Sequence, residues 1–211
     1  MIEPDWRILP AVRAFVTTRE LGDVKSAHAL RLLRGSLPAD PVWLQQVHGN
    51  HVIAAGEGGK ADAVVAREAG RVCAVMVADC MPVLLADEAG TVVAAAHAGW
   101  RGLAAGVLEA TVDAMAVPRH KLHAWLGPAI GPRAYEVGED VRLAFSSYPQ
   151  AFVPTRPHHW RLDLYAVARE KLKGLKSVSG GGFCTYSEPE RFFSYRRDRA
   201  SERMGAFVWL A

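Results

Sequence analysis

Cysteine is scarce: Cys73, Cys80 and Cys184 are the only three in 211 residues. An odd count without short, regular spacing argues against a disulfide framework and points to a reducing compartment. Paired C-x2-C elements are missing too, so a closed cysteine-rich structural zinc site is not expected. Long apolar runs are absent. The best candidate, residues 72–86, is broken by Asp79 and Pro82, which excludes a spanning helix. The opening MIEPDWRILP carries acids and a proline where a secretion signal needs bases and then an apolar core, so a cytoplasmic location is expected. Charge of one sign is also lacking. With 25 basic and 22 acidic residues the net charge is only +3, and the basic residues are scattered, which argues against a nucleic-acid or membrane partner. No linker, repeat or composition shift divides the chain, so residues 1–211 read as a single domain.

Half of the residues are hydrophobic and 22% are charged, the balance of a chain that buries a core. Residues 11–18 have strand character, and 26–33 a helical face of Ala27, Leu30 and Leu33. Residues 42–55 read as extended, with a kink at Gly49-Asn50. Residues 61–66 and 72–78 are short apolar runs typical of buried strands. Residues 83–86 and 91–96 flank a hairpin turn at 87–90. The pattern predicts helices over 103–115, 137–145 and 164–173, the last with Asp163 as N-cap and Gly174 as C-cap. Further strands are expected at 122–126 and 206–210. The expected class is α+β, a mixed or antiparallel sheet covered by helices.

Three side chains with metal-ligand chemistry stand where predicted strands leave the core: His48, Cys80 and His97. Two histidines and one cysteine form a catalytic zinc set, because three protein ligands leave the fourth tetrahedral position open. Each residue also has a plain reading: a small buried apolar cysteine, and histidines that cap or face solvent. A metal-free alternative makes Cys80 a thiolate nucleophile with His97 or His48 as its base. A non-enzymatic alternative is a binding module stabilised by a closed metal shell. Gly99-Trp100-Arg101-Gly102 opens a helix whose free N–H groups would attract an anion, and Arg101 could add a bidentate contact. Residues 192–197 set aromatics beside Arg196 and Arg197. They read either as a core strand or as a platform for a planar ring and an anion.

The motifs VWLQQVHGNHV, VCAVMVADCMPVLLAD, VAAAHAGWRGLAAGVLEATV, AWLGPAIGPRAYEVGEDV and FFSYRRD, in that order, resemble the YfiH family. That family is also described as multicopper polyphenol oxidoreductase or laccase-like. The resemblance covers residues 41–211 and implies a layered α/β sandwich with mixed sheets, like that of certain bacterial cytotoxins. It carries the family's zinc ligands onto His48, Cys80 and His97, and it implies purine nucleoside chemistry: phosphorolysis of adenosine, inosine, guanosine or methylthioadenosine, and adenosine deamination. Arg101, Arg196 and Arg19 are then the candidates for phosphate. Asp62 and Asp79 are candidates for proton transfer or for orienting a ligand histidine. The family also implies an alternative, a peptidoglycan-editing amidase that removes L-serine from UDP-MurNAc-L-Ser. The deaminase signature H-x-E with P-C-x-x-C is absent, so deamination would need a separate solution. A multicopper site needs clustered His-x-His pairs. Among the eight histidines the close sets are His48/His51, His120/His123 and His158-His159, with the latter two expected in surface loops, although copper could still occupy the single His-Cys site. Residues 17–37, TTRELGDVKSAHALRLLRGSL, depart from the family pattern. They are shorter and lack its double glycine, and substrate choice could differ as a result.

Overall fold

The computed structural model describes residues 1–4, 11–199 and 201–211. In chain order the elements are β1 (Val12–Val16), α1 (Ala27–Leu33), β2 (Leu44–Gln45), β3 (Val52–Ala54), β4 (Gly59–Lys60), β5 (Ala63–Ala66), β6 (Cys73–Val77), β7 (Met81–Asp87), β8 (Val93–Ala98), α2 (Trp100–Ala105) and α3 (Val107–Ala114). There follow β9 (Leu122–Leu126), β10 (Glu136–Val137), α4 (Glu139–Ala144), β11 (Phe152–Arg156), β12 (His159–Leu162), α5 (Leu164–Lys171), β13 (Ser177–Gly180), α6 (Tyr195–Asp198) and β14 (Met204–Leu210).

The central sheet is six-stranded, in the order β13-β9-β7-β8-β5-β3. Its outer pairs, β13 with β9 and β3 with β5, are parallel, and the inner pairs are antiparallel. A second sheet, β1-β14-β6, is antiparallel throughout. Side-chain alternation explains how the two stack. On β8, Ala94, Ala96 and Ala98 join one core with Leu103, Val107 and Leu108 of the helices, whereas Val93 and Ala95 join the other with β6 and β14. On β14, Ala206 and Val208 face that inter-sheet core, while Phe207 and Trp209 face outward to Phe15 and Leu33. The result is helices, sheet, sheet and α1 in successive layers, the mixed-sheet sandwich that the motifs imply.

Several boundaries differ from expectation. The helix read over 103–115 is two helices, because Gly106 takes φ +89° and its N–H caps α2 on Gly102 and Leu103. The helix read over 137–145 gives its first residue, Val137, to β10 and starts after Gly138. Asp163 does cap α5, accepting from the Ala166 amide, but the helix ends with Leu172 as its C-cap, and Gly174 (φ +86°) turns the chain two residues later. Residues 192–194 form no strand. Ser194 caps α6 instead, accepting from the Arg197 amide. His123 and His159 lie on β9 and β12 and not in loops. Among the described residues no helix is long and apolar enough to cross a membrane.

Candidate metal centre

The layers bring three chain segments to one end of the sheets. Cys80 sits in the turn between β6 and β7, His97 lies near the end of β8, and His48 lies in the loop between β2 and β3. The register between β7 and β8 sets Pro82 opposite His97. The ligand atoms of His48, Cys80 and His97 all lie within 4.8 Å of one another. The imidazoles meet edge-on, with ring centroids 4.8 Å apart.

Asp62, fully buried just before β5, organises this cluster. Its Oδ1 lies 2.8 Å from His97 Nδ1 and accepts the His48 amide at 2.9 Å. Its Oδ2 accepts the amides of Val47 (3.1 Å) and Gly49 (2.7 Å). Burial alone would raise the Asp62 pKa, but His97 and the Gly49 and Val47 amides outweigh it and hold the group below the usual carboxylate range. An ionised carboxylate can only accept, so His97 Nδ1 carries the hydrogen and Nε2 is left for a metal. The same carboxylate stabilises His48 in a left-handed conformation, φ +61°, which is uncommon for a residue with a side chain.

Cys80 follows Asp79, another residue at positive φ (+85°). Asp79 accepts the Thr185 hydroxyl and the Arg196 amide, both at 2.6 Å, and its carbonyl accepts the Ile130 amide. Gly99, the N-cap of α2, presses against the cluster. A Cβ there would lie 2.7 Å from Cys80 Sγ and 3.1 Å from the His48 ring. Its φ of −73° suits any residue, so space and not torsion demands glycine.

Burial would raise the Cys80 thiol, but His97 and His48 overcome it and bring the group down to about 6. Burial would lower His97, but Cys80 and Asp62 lift it to about 9. Without metal the neutral-pH pair is thus thiolate and imidazolium. The donor set suits a borderline-soft divalent ion: one thiolate, one imidazole already oriented and a second within reach.

The cluster opens onto a cavity of about 730 Å³ lined by Lys25, Asp79, Arg101, Tyr135, Tyr195 and Arg196, among others. Arg101 rests on the Trp100 ring (4.4 Å) and Arg196 on the Tyr135 ring (5.2 Å). Arg19 does not line this cavity. Its guanidinium donates to the Pro189 carbonyl, pairs with Asp198 at 3.5 Å and stacks on Phe193. Sequence reasoning missed Lys25, Tyr135 and the spacing role of Gly99, whereas Tyr195 and Arg196 of the aromatic-basic stretch do line the cavity. Cys73 is buried core. Cys184 lines a separate cavity, where its sulfur accepts the Gly131 amide at 3.2 Å.

Two outcomes follow for metal binding. A metal needs His97 neutral, whereas the metal-free protein keeps it protonated up to about pH 9 and Cys80 ionised above about 6. Zinc binding at neutral pH should therefore release a proton from His97, and affinity should rise with pH until about 9 and fall more steeply below about 6. Titration in buffers of differing ionisation enthalpy reads this directly, and no proton release would contradict it. Gly99→Ala should weaken zinc about 10–100-fold, the range for disturbed ligand supports, while circular dichroism stays unchanged. Unaltered affinity would mean that the close approach is unimportant.

Comparison with known proteins agrees with this architecture. The family model described as multi-copper polyphenol oxidoreductase laccase matches residues 20–211. A purine nucleoside phosphorylase of Pseudomonas aeruginosa is 46% identical, covering 99% of this chain and 98% of its own. The purine nucleoside phosphorylase YfiH of Escherichia coli is 51% identical over 83% of this chain and 76% of its own. Among solved structures, a Neisseria meningitidis protein superposes with a TM-score of 0.91 at 40% identity, covering 99% of this chain and 98% of its own. A Bacillus licheniformis YfiH protein shares the fold, with a TM-score of 0.85 at 24% identity over 95% of this chain and 93% of its own. The chain belongs to the YfiH family, the multi-copper polyphenol oxidoreductase laccase family of proteins.

Proposed function

We propose that this protein is a zinc-dependent purine nucleoside phosphorylase with His48, Cys80 and His97 as the metal ligands. The observation that carries the reading is the open three-ligand cluster at the floor of a cationic, aromatic cavity. Support comes from relatives named as purine nucleoside phosphorylases that match nearly the whole chain. Zinc is favoured over a multicopper set because His48, Cys80 and His97 form the single ligand group of this kind among the described residues. Electron transfer among several coppers needs further clusters.

In phosphorolysis a phosphate oxygen bonds to the ribose C1′, the C1′–N9 bond breaks, and the purine leaves with the electron pair and gains a proton. When bound, the metal supplies Lewis acidity at its open coordination position. The rest is the work of this chain. Arg101 and Arg196 both line the cavity and offer guanidinium donors for phosphate. Tyr135 and Tyr195 offer faces for a purine. Asp62 keeps His97 in one tautomer, and Asp79 holds the Arg196 amide. Adenosine deamination belongs to the same proposal: a water oxygen bonds to C6 of the base, the bond from C6 to the exocyclic nitrogen breaks, and that nitrogen leaves as ammonia after gaining a proton.

One observation favours a second reading. The Cys80 thiolate beside the His97 imidazolium has the charge state of a Cys–His nucleophile. Chelation separates the two. Purified protein should contain one zinc per chain and release hypoxanthine from inosine and phosphate. Cys80→Ser should lose the metal and at least about 100-fold of kcat/KM, about 2.7 kcal/mol of transition-state stabilisation. Activity that survives both chelation and Cys80→Ser would sink the proposal. Activity that survives chelation but not Cys80→Ser would establish the nucleophile reading. Absence of any purine product, with serine released from UDP-MurNAc-L-Ser, would turn the reading to amide hydrolysis.

A further inference from the structure

Four basic side chains, Lys25, Arg101, Arg196 and Arg203, line the cavity before the ligand cluster, against one carboxylate, Asp79. Both Asp79 oxygens are already engaged by neutral donors, the Thr185 hydroxyl and the Arg196 amide. Two of the cations suffice for the reacting phosphate. The other two are a surplus that a neutral nucleoside does not use.

The four divide by their surroundings. The Arg196 amide donates to Asp79, the neighbour of Cys80, and Arg101 lies two residues after Gly99, which packs on Cys80 and His48, so both belong to the reacting end. Arg203 has its guanidinium 5.8 Å from the Tyr195 ring, with Nη1 donating to the Glu202 carbonyl at 2.9 Å. Its amide donates to Asp23 Oδ1, and its carbonyl accepts the Val24 amide at 3.0 Å. These bonds stitch the turn before α1 to the start of β14 and hold the next residue, Lys25, at the cavity. Lys25 makes no ion pair, and its ammonium group has no hydrogen-bond partner among the described residues. It also comes from the segment that departs from the family's motif pattern, so the feature follows this chain's own sequence.

We infer that Lys25 and Arg203 form a second anion subsite in this cavity, and that the substrate is a nucleoside phosphate whose existing phosphate binds there while its base and C1′ face the metal ligands. The inference rests on the nucleoside reading above and deepens it. Phosphate beside two side-chain cations is held mainly as a charge-assisted contact, and so weakens with salt.

Isothermal titration of the zinc-loaded protein with adenosine, adenosine 5′-monophosphate and uridine 5′-monophosphate tests it. The adenine nucleotide should bind on the order of tenfold tighter than adenosine at low ionic strength, the size of one hydrogen-bonded charge contact. That ratio should fall to about twofold or less in Lys25→Glu and in Arg203→Gln, and in wild-type protein at high salt. Equal binding of adenosine and its monophosphate, or a ratio untouched by both substitutions, would overturn the subsite. Adenosine binding with no nucleotide advantage would do so while leaving the purine reading intact. Tight binding of the uridine nucleotide, lost in Lys25→Glu, with adenosine silent would support the subsite and sink the purine reading.

Discussion

A buried carboxylate is costly unless donors surround it, and Asp62 is surrounded by four: three consecutive backbone amides and the His97 ring. The rest of the site depends on that arrangement. The amides of residues 47–49 converge on one group only if the chain turns sharply, and the turn leaves His48 at positive φ. A conformation of that kind costs on the order of 1–3 kcal/mol and persists where its surroundings over-determine it. The same carboxylate orients His97 and favours its charged form when metal is absent. One side chain in the inter-strand connection therefore sets two of the three candidate ligands.

The third candidate ligand, Cys80, is set by close packing. Gly99 lets the start of α2 approach Cys80, and Gly102 lets it approach the His48 loop, where a Cβ would lie 3.0 Å from the Gly49 carbonyl. Asn50 closes the contact by donating to the Ala105 carbonyl at 2.8 Å. On the opposite side Asp79 ties the Cys80 turn to α6, and α6 presents Tyr195 and Arg196 to the cavity. One short hydrogen bond thus joins the Cys80 turn to α6, and a second joins it to Thr185.

Local pattern made much of this legible. The apolar runs at β5 and β6, the hairpin of β7 and β8, and the Asp163 cap of α5 follow from periodicity and turn chemistry, which act over a few residues. The three ligands were visible as metal-binding types at strand ends, and the motif resemblance joined them. Long-range pairing was not visible. Nothing in residues 177–180 announces a parallel partner at β9, and nothing near Met204 says that β14 will lie between β1 and β6. Gly99 read only as part of a helix start that would attract an anion, because the reason for a glycine there, the Cys80 sulfur, is distant in sequence. Lys25 and Arg203 were unremarked because only the stitched backbone between them brings them to one cavity. Arg19 is near in sequence to that turn, yet its guanidinium is taken by Pro189 and Asp198.

The central claim is an open metal shell made by three side chains of this chain. Zinc-edge X-ray absorption on the protein as purified tests it most directly. The account predicts one sulfur at about 2.3 Å and three lighter atoms at about 2.0–2.1 Å, two of them imidazole nitrogens and one from solvent. A shell with no sulfur, with two sulfurs, or with three imidazoles would contradict it.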